Sequence, residues 1–347
     1  HDHIVHFYHL HGLDWINAAA VLDADVERAY REASNGPHRG IDRAQLADTR
    51  EKVRRVVDSG RLGIFQNAYF LDGASAYLLS PEQNLILMSN YFRALELQRL
   101  LGRAQAIFGA KNPHSQTLVV GGVTCHDALS EDRIREFEDL IRPASEFIKA
   151  AYLPDVLTVA KAYPETARFG GNENFMVFPD GYGSSDAPVF RPGVLLDGRY
   201  EPLDLKHIAE HVKHSWFEDT GPKHPHQGEQ APAFTSLDDD ERYSWSKAPR
   251  YKGLPVEVGP LARSMIHQAL GEERTSVEVK ALLDATGLEP GALNSTLGRT
   301  AARAWETAIV AERMSEWIDG LRELVRSGNT KLINDWTMPN SAQGVGY

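Results

Sequence analysis

Five of the chain's fourteen histidines fall in its first eleven residues, His1, His3, His6, His9 and His11, beside the carboxylate of Asp2. On a helix, His3 and His6 share a face, as do Asp2 and His6. Imidazole and carboxylate at that spacing can bind a divalent metal or relay protons. The same pattern also suits a helix that buries His and Tyr beside polar partners, and spacing alone leaves both readings open. His114, in Lys111-Asn112-Pro113-His114-Ser115-Gln116, follows a helix stop, where a loop imidazole lines a site or satisfies a turn. Glu210 and His214 fall four apart in a stretch expected to be helical; a two-histidine zinc helix needs His at both ends, so a zinc protease is discounted. Lys247 and Arg250 alternate with aromatics in Tyr243–Tyr251, a pattern of cations stacking on rings. Arg299 and Arg303 share a helical face and are placed to pair with carboxylates or meet water.

Helices and their connections must position these groups. Residues 1–22 read as one helix, and 42–58 as a charged, exposed one. Ser80-Pro81-Glu82-Gln83 carries a cap, a proline for the first helical position and the closing residue of a capping box. Apolar residues then recur at helical steps to about Phe108, before Gly109 and Pro113. Thr117–Val123 reads as a buried strand or extended turn. Its Gly121-Gly122 permits close backbone approach but lacks the spacing of a phosphate-binding loop. Ser130 caps a helix whose Ile134, Phe137, Ile141, Ala144 and Ile148 form one stripe.

From 163 to 260 the texture turns rich in Pro, Gly, Asp and aromatics, with strands expected at 174–178 and 193–196 and a helix at 204–214. Helices return at 260–270, 276–286 and 290–327, the last with Val310, Met314, Trp317, Leu321 and Leu324 at core spacing. The expectation is a mainly α protein: one large helical-bundle domain over 1–347, with an irregular, short-stranded insert at 163–260.

The balance of charges is acidic, −11 over 347 residues. That argues against a broad nucleic-acid footprint, which needs a basic face. A single cysteine, Cys125, excludes a disulfide framework and any site built on a cysteine cluster within these residues. No apolar run of about 18 residues is present to span a membrane. The opening at His1-Asp2-His3 and the close at Gly346-Tyr347 read as cuts through a longer chain.

Taken in order, His1–Trp15, Phe108–Thr124, Glu210–Trp216, Tyr243–Tyr251, Glu257–Ala262 and Ser295–Arg303 resemble the large subunit of nickel–iron hydrogenases, closest to the membrane-associated or periplasmic uptake type. The resemblance extends over nearly the whole chain and is weakest at 23–60. It implies an enzyme that reversibly oxidises dihydrogen to protons and electrons. It also implies a nickel–iron centre with carbonyl and cyanide ligands, magnesium, and an iron–sulfur small subunit that takes the electrons. Nickel there acts as a Lewis acid that polarises dihydrogen. In the family one cysteine pair precedes the position of His1 and another follows that of Tyr347, so this stretch alone is expected to ligate none of the metals and to be inactive. The resemblance carries Asp2 over as an outer-shell residue of the active site, bonded to an arginine beyond these residues. It places His114 near the partner's iron–sulfur cluster, and Glu210 and Lys247 on the magnesium side. A periplasmic location, or the periplasmic face of the inner membrane, is implied as well, with membrane contact only indirect. The competing reading is a non-catalytic helical relative, such as the related quinone-site subunit of respiratory complex I.

Overall fold

The computed structural model describes residues 1–61, 63, 76–179 and 188–344. The chain divides into two compact units, one of residues 1–167 and 284–336, the other of 168–283 and 337–347.

The first unit opens on α1 (Asp2–Val5), a π-helical turn (His6–Leu10), α2 (Gly12–Trp15) and a 3-10 turn (Ala19–Asp23). The stretch expected to be one helix is therefore broken. The backbone N–H of His11 reaches the carbonyl of His6, five residues back, and α-helical spacing is lost there. Next come α3 (Val26–Asn35) and α4 (Arg43–Asp58), capped by Asp25 and Asp42, each of which accepts a backbone N–H three residues on. α4 is not merely an exposed charged helix, because it buries Leu46, Thr49 and Val53.

The central element is α5 (Pro81–Gly109). The Ser80–Gln83 capping box is closed in both directions and Pro81 occupies the first turn. The helix ends where Ala110 turns left-handed. α5 packs against α3, α4 and α6 (Glu131–Phe147). The Ser130 cap forms as expected, and Ile134, Ile141, Ala144 and Ile148 are buried on one stripe. Between α5 and α6, β1 (Leu118–Val119) and β2 (Gly122–Val123) form a short antiparallel hairpin. It is not the buried run expected, for Leu118 and Val120 are 72% and 70% exposed. What the Gly-Gly pair does is admit another stretch of backbone. Val123 N–H donates to the carbonyl of Leu332, and Asn334 N–H to that of Gly121. A Cβ on Gly122 would lie 2.0 Å from the Leu332 oxygen.

After a second π-helical turn (Ile148–Tyr152), α7 (Leu153–Ala162) completes this part of the bundle. In the second unit, β3 (Phe175–Val177), β4 (Gly193–Leu196) and β5 (Arg199–Glu201) pair antiparallel. β6 (Ile208–His211) pairs antiparallel with β7 (Ala248–Tyr251). The expected 204–214 helix is thus a 3-10 turn followed by a strand. Glu210 and His214 do not share a helical face. The ladder to β7 and the bridge from Glu210 to Lys223 satisfy this backbone in extended form. Val194, Met176, Ile208 and Tyr251 form the local core, and α8 (Pro260–Ala269) packs against β3 and β4. α9 (Glu273–Thr286) follows.

The expected 290–327 helix divides into a 3-10 turn (Pro290–Leu293) and α10 (Thr296–Arg326), which packs against α6 and α7. Its buried face runs through Ala301, Ala304, Thr307, Ala311 and Ile318. The predicted stripe is realised only in part: Met314 packs against a core cluster, while Trp317 and Leu324 are exposed and the last turns of α10 are held to α6 by Arg322 and Arg326 pairing with Glu131 and Glu138. The mainly α fold stands, with short sheets.

Candidate active site

The π-helical turn builds the most concentrated polar chemistry in the first unit. In an α-helix, residues five apart lie about 140° apart around the axis. Closing the turn over five residues instead brings His6 and His11 edge to edge, with ring centroids 4.9 Å apart. Trp15 Nε1–H donates to His11 Nδ1 at 2.8 Å. That bond fixes the neutral tautomer of His11, with its proton on Nε2. His11 Nε2 and His6 Nδ1 are buried and find no hydrogen-bond partner. Burial, then His6, then Arg303 hold the His11 pKa down at about 4. Burial, Arg303 and His3 lower that of His6 in the same way.

The neighbouring histidines are satisfied. His3 Nε2 donates to Glu306 Oε1 at 3.0 Å, and Tyr152 OH donates to the His3 carbonyl at 3.2 Å. His9 Nε2–H donates to the Tyr91 carbonyl at 3.2 Å while Gln98 donates to its Nδ1. Below them lies a network that sequence reasoning missed. Asp155, fully buried on α7, accepts from Tyr8 OH at 2.5 Å, His38 Nε2 at 2.7 Å and Asn90 Nδ2 at 2.9 Å. Arg93 donates to Asn90 Oδ1 and stands over the Phe147 ring. Burial first, then Asp155, raises the Tyr8 pKa well above the phenol range. A signal existed: a carboxylate inside Leu153-Pro154-Asp155-Val156-Leu157 is tolerated only if paired. Glu306, inside the apolar run of α10, carries the same mark.

Asp2 projects from α1 with its side chain exposed, Oδ1 2.7 Å from His1 Nδ1. His114 is exposed and left-handed, φ 59°, just after the cis Asn112–Pro113 bond. In the second unit the structure joins Glu210 and Lys247 directly, Nζ to Oε2 2.9 Å, with the ammonium also over the Phe217 ring at 5.1 Å. A cation of Tyr243–Tyr251 thus meets a ring, though Phe217 lies outside that stretch. The ladder between β6 and β7 sets this pair, opposing His211 to Ala248, the residue after Lys247.

Do these residues suit a metal centre? Among the described residues no group of three or more His, Cys, Asp or Glu is arranged to hold a metal ion. Cys125 is buried among Ala104, Ile107, Ala128, Leu140 and Ile141, an apolar setting that keeps a thiol inert. The orphaned His6 Nδ1 and His11 Nε2 leave this segment with polar capacity for a further polar group.

Fold and site together define a mainly α chain whose opening segment concentrates histidines. A family model described as "Nickel-dependent hydrogenase" matches residues 1–347, and the chain belongs to that family. It is 36% identical over 344 residues to the "Quinone-reactive Ni/Fe-hydrogenase large chain" of Wolinella succinogenes, covering 90% of this chain and 58% of that one. To the "Uptake hydrogenase large subunit" of Bradyrhizobium diazoefficiens it is 33% identical, covering 100% and 65%. Among solved structures, the H2-activated [NiFeSe]-hydrogenase of Dm. baculatum superposes with a TM-score of 0.70 at 28% identity, covering 98% of this chain and 62% of that chain. The reduced Ni-Fe-Se hydrogenase of D. vulgaris Hildenborough gives 0.71 at 28%, with the same coverage. The chain thus spans 58% to 65% of the length of these relatives.

Proposed function

We propose that these residues are the larger part of the catalytic subunit of an uptake-type nickel–iron hydrogenase. The complete enzyme splits dihydrogen reversibly into two protons and two electrons, and passes the electrons to an iron–sulfur small subunit. The observation that carries this reading is the whole-chain family match, joined to a histidine segment folded to leave two buried imidazole nitrogens open. The names of the relatives support a hydrogenase large chain over a non-catalytic complex I-like subunit. The centre would be nickel and iron with carbonyl and cyanide ligands and a nearby magnesium, held by donors other than the described residues.

In this reading the chain's own residues orient and shield. Asp2 borders the reacting centre, and His114 lies toward the partner's cluster. The Glu210–Lys247 ion pair belongs to the outer shell on the magnesium side. All 347 residues form one large-subunit domain, with 163–260 as an insert within it. A periplasmic setting, with the membrane reached only through partners, belongs to the same proposal. Among the described residues no helix is long and apolar enough to cross a membrane.

The test is Asp2→Ala in the complete two-subunit protein. Hydrogen uptake is expected to fall on the order of tenfold or more with nickel and iron contents unchanged, as for groups that tune a site without ligating it. Loss of nickel, or unchanged turnover, contradicts the role given to Asp2.

A further inference from the structure

We infer that the aromatic face built by residues 214–245 of the second unit is a docking surface for a basic segment of another protein, one that carries apolar side chains beside its arginines or lysines. The grounds are local to that face, so the docking stands or falls independently of the proposed activity.

Ser215, Trp216 and Phe217 lie between two other stretches of backbone. Trp216 N–H donates to the Ser244 carbonyl at 2.9 Å, and Ala233 N–H donates to that of Trp216 at 2.8 Å. The Trp216 ring thereby becomes a buried floor under two others. Phe234 and Trp245 each approach it with centroids 5.2 Å apart, and they stack on one another at 6.0 Å. Their outer sides stay uncovered: Phe234 is 56% exposed and Trp245 51%. Leu237 and Tyr243, on either side of the acidic run, are more exposed still, and Tyr243 stacks on His214. The indole N–H of Trp216 is buried and finds no acceptor. Rings fixed from below and open above lose little entropy when a partner covers them, which is why tryptophan and tyrosine anchor protein interfaces.

Charge selects the occupant. The loop through 235–243 spends one carboxylate on its own folding: Asp239 accepts the Thr235 hydroxyl at 2.6 Å and the backbone N–H groups of Glu241 and Arg242. His214 Nδ1 bonds the Glu241 carbonyl at 2.8 Å and ties the loop to the aromatic floor. The side chains of Asp238, Asp240 and Glu241 take no part in this; they are exposed and have no partner among the described residues. Across 214–245 seven carboxylates stand against two cations, Lys223 and Arg242. The Arg242 guanidinium is occupied with the Phe217 carbonyl at 3.1 Å. A second copy of this chain would bring the same carboxylates against these, and an anionic membrane or nucleic acid would be repelled. Arginine and lysine suit both halves of the face, because they pair with carboxylates and lie on ring faces. The chain makes that second contact within itself, where the Lys247 ammonium stands 5.1 Å over Phe217, the neighbour of Trp216.

The test uses the complete protein with its small subunit and a short fluorescent peptide of alternating arginine and leucine, followed by anisotropy. The wild type should bind this peptide, bind a glutamate–leucine counterpart far more weakly, and lose affinity as salt rises. Asp238→Asn, Asp240→Asn and Glu241→Gln together should weaken binding on the order of tenfold and remove most of its salt dependence. The same change of charge at three exposed residues of the first unit, Glu32→Gln, Glu51→Gln and Asp58→Asn, should leave binding near the wild-type value. Trp245→Ala should also cost on the order of tenfold, while Trp245→Phe, which keeps a ring, retains most of the affinity. Equal losses from the two charge triples reduce the effect to net charge and overturn the docking surface. A wild type that binds neither peptide, or both alike, overturns it too, as does full affinity in Trp245→Ala. Self-association of the wild-type complex that is lost in Trp245→Ala overturns it in favour of a second copy. None of these readouts needs hydrogen uptake, so a complex that holds its metals yet consumes no dihydrogen sinks the proposed activity and leaves the peptide result standing.

Discussion

Asp155 shows what a single residue does for this chain. Its carboxylate joins Tyr8 of the π-turn, His38 before α4 and Asn90 of α5, partners 147, 117 and 65 positions away. Asp155→Ala leaves three buried donors without an acceptor and is expected to destabilise the protein by about 3 kcal/mol or more, read from the shift of its denaturant midpoint. His11 makes a second prediction. In the fold it titrates at about 4, against 6.5 when unfolded. Between those values the unfolded chain binds a proton that the folded one refuses. Stability therefore falls as pH drops from 6.5 toward 4, then levels off. His11→Gln should flatten that slope in unfolding midpoints measured across the range; an unchanged slope assigns it to other groups. At this scale residue types were legible in the sequence, since Asp2, His3 and His6 stand out by composition, whereas Glu210 and Lys247 enter only by resemblance and their pairing comes from the fold. Their partners were not. A bond across more than a hundred positions leaves no local spacing, only the oddity of a carboxylate in an apolar run.

The elements were legible wherever local chemistry decides them. α5 and α6 start at Ser80 and Ser130 because a hydroxyl accepts the backbone N–H three residues on. Ser80→Ala should cost about 1 kcal/mol and fray the first turn of α5, visible as faster amide exchange there. Elements decided by tertiary pairing were not legible. The 204–214 stretch has helical spacing but extends to pair with β7, and the π-turn breaks the period that reading by threes and fours assumes. Close approach is likewise invisible in sequence. A Cβ on Gly298 would lie 1.8 Å from the Leu293 carbonyl oxygen, where the turn before α10 folds onto the helix. Gly298→Ala must push that turn away, at a cost of about 1–3 kcal/mol. A wild-type denaturation midpoint would refute this contact.

At the scale of the whole molecule, large apolar side chains remain uncovered. Leu118 and Val120 on the hairpin of the first unit and Leu237 and Tyr243 in the second are more than two-thirds exposed. Patches of this kind mark surfaces built to meet other protein. The 347-residue chain produced alone is expected to aggregate, and a monodisperse monomer by light scattering would contradict that. The reading of the chain as a shell around a bimetallic centre is tested most directly by purifying the complete protein with its small subunit and measuring bound nickel and iron together with hydrogen-dependent dye reduction. Stoichiometric nickel and iron with rapid dye reduction under dihydrogen is the predicted result. A complete protein that carries both cysteine pairs yet binds neither metal and consumes no dihydrogen would contradict it.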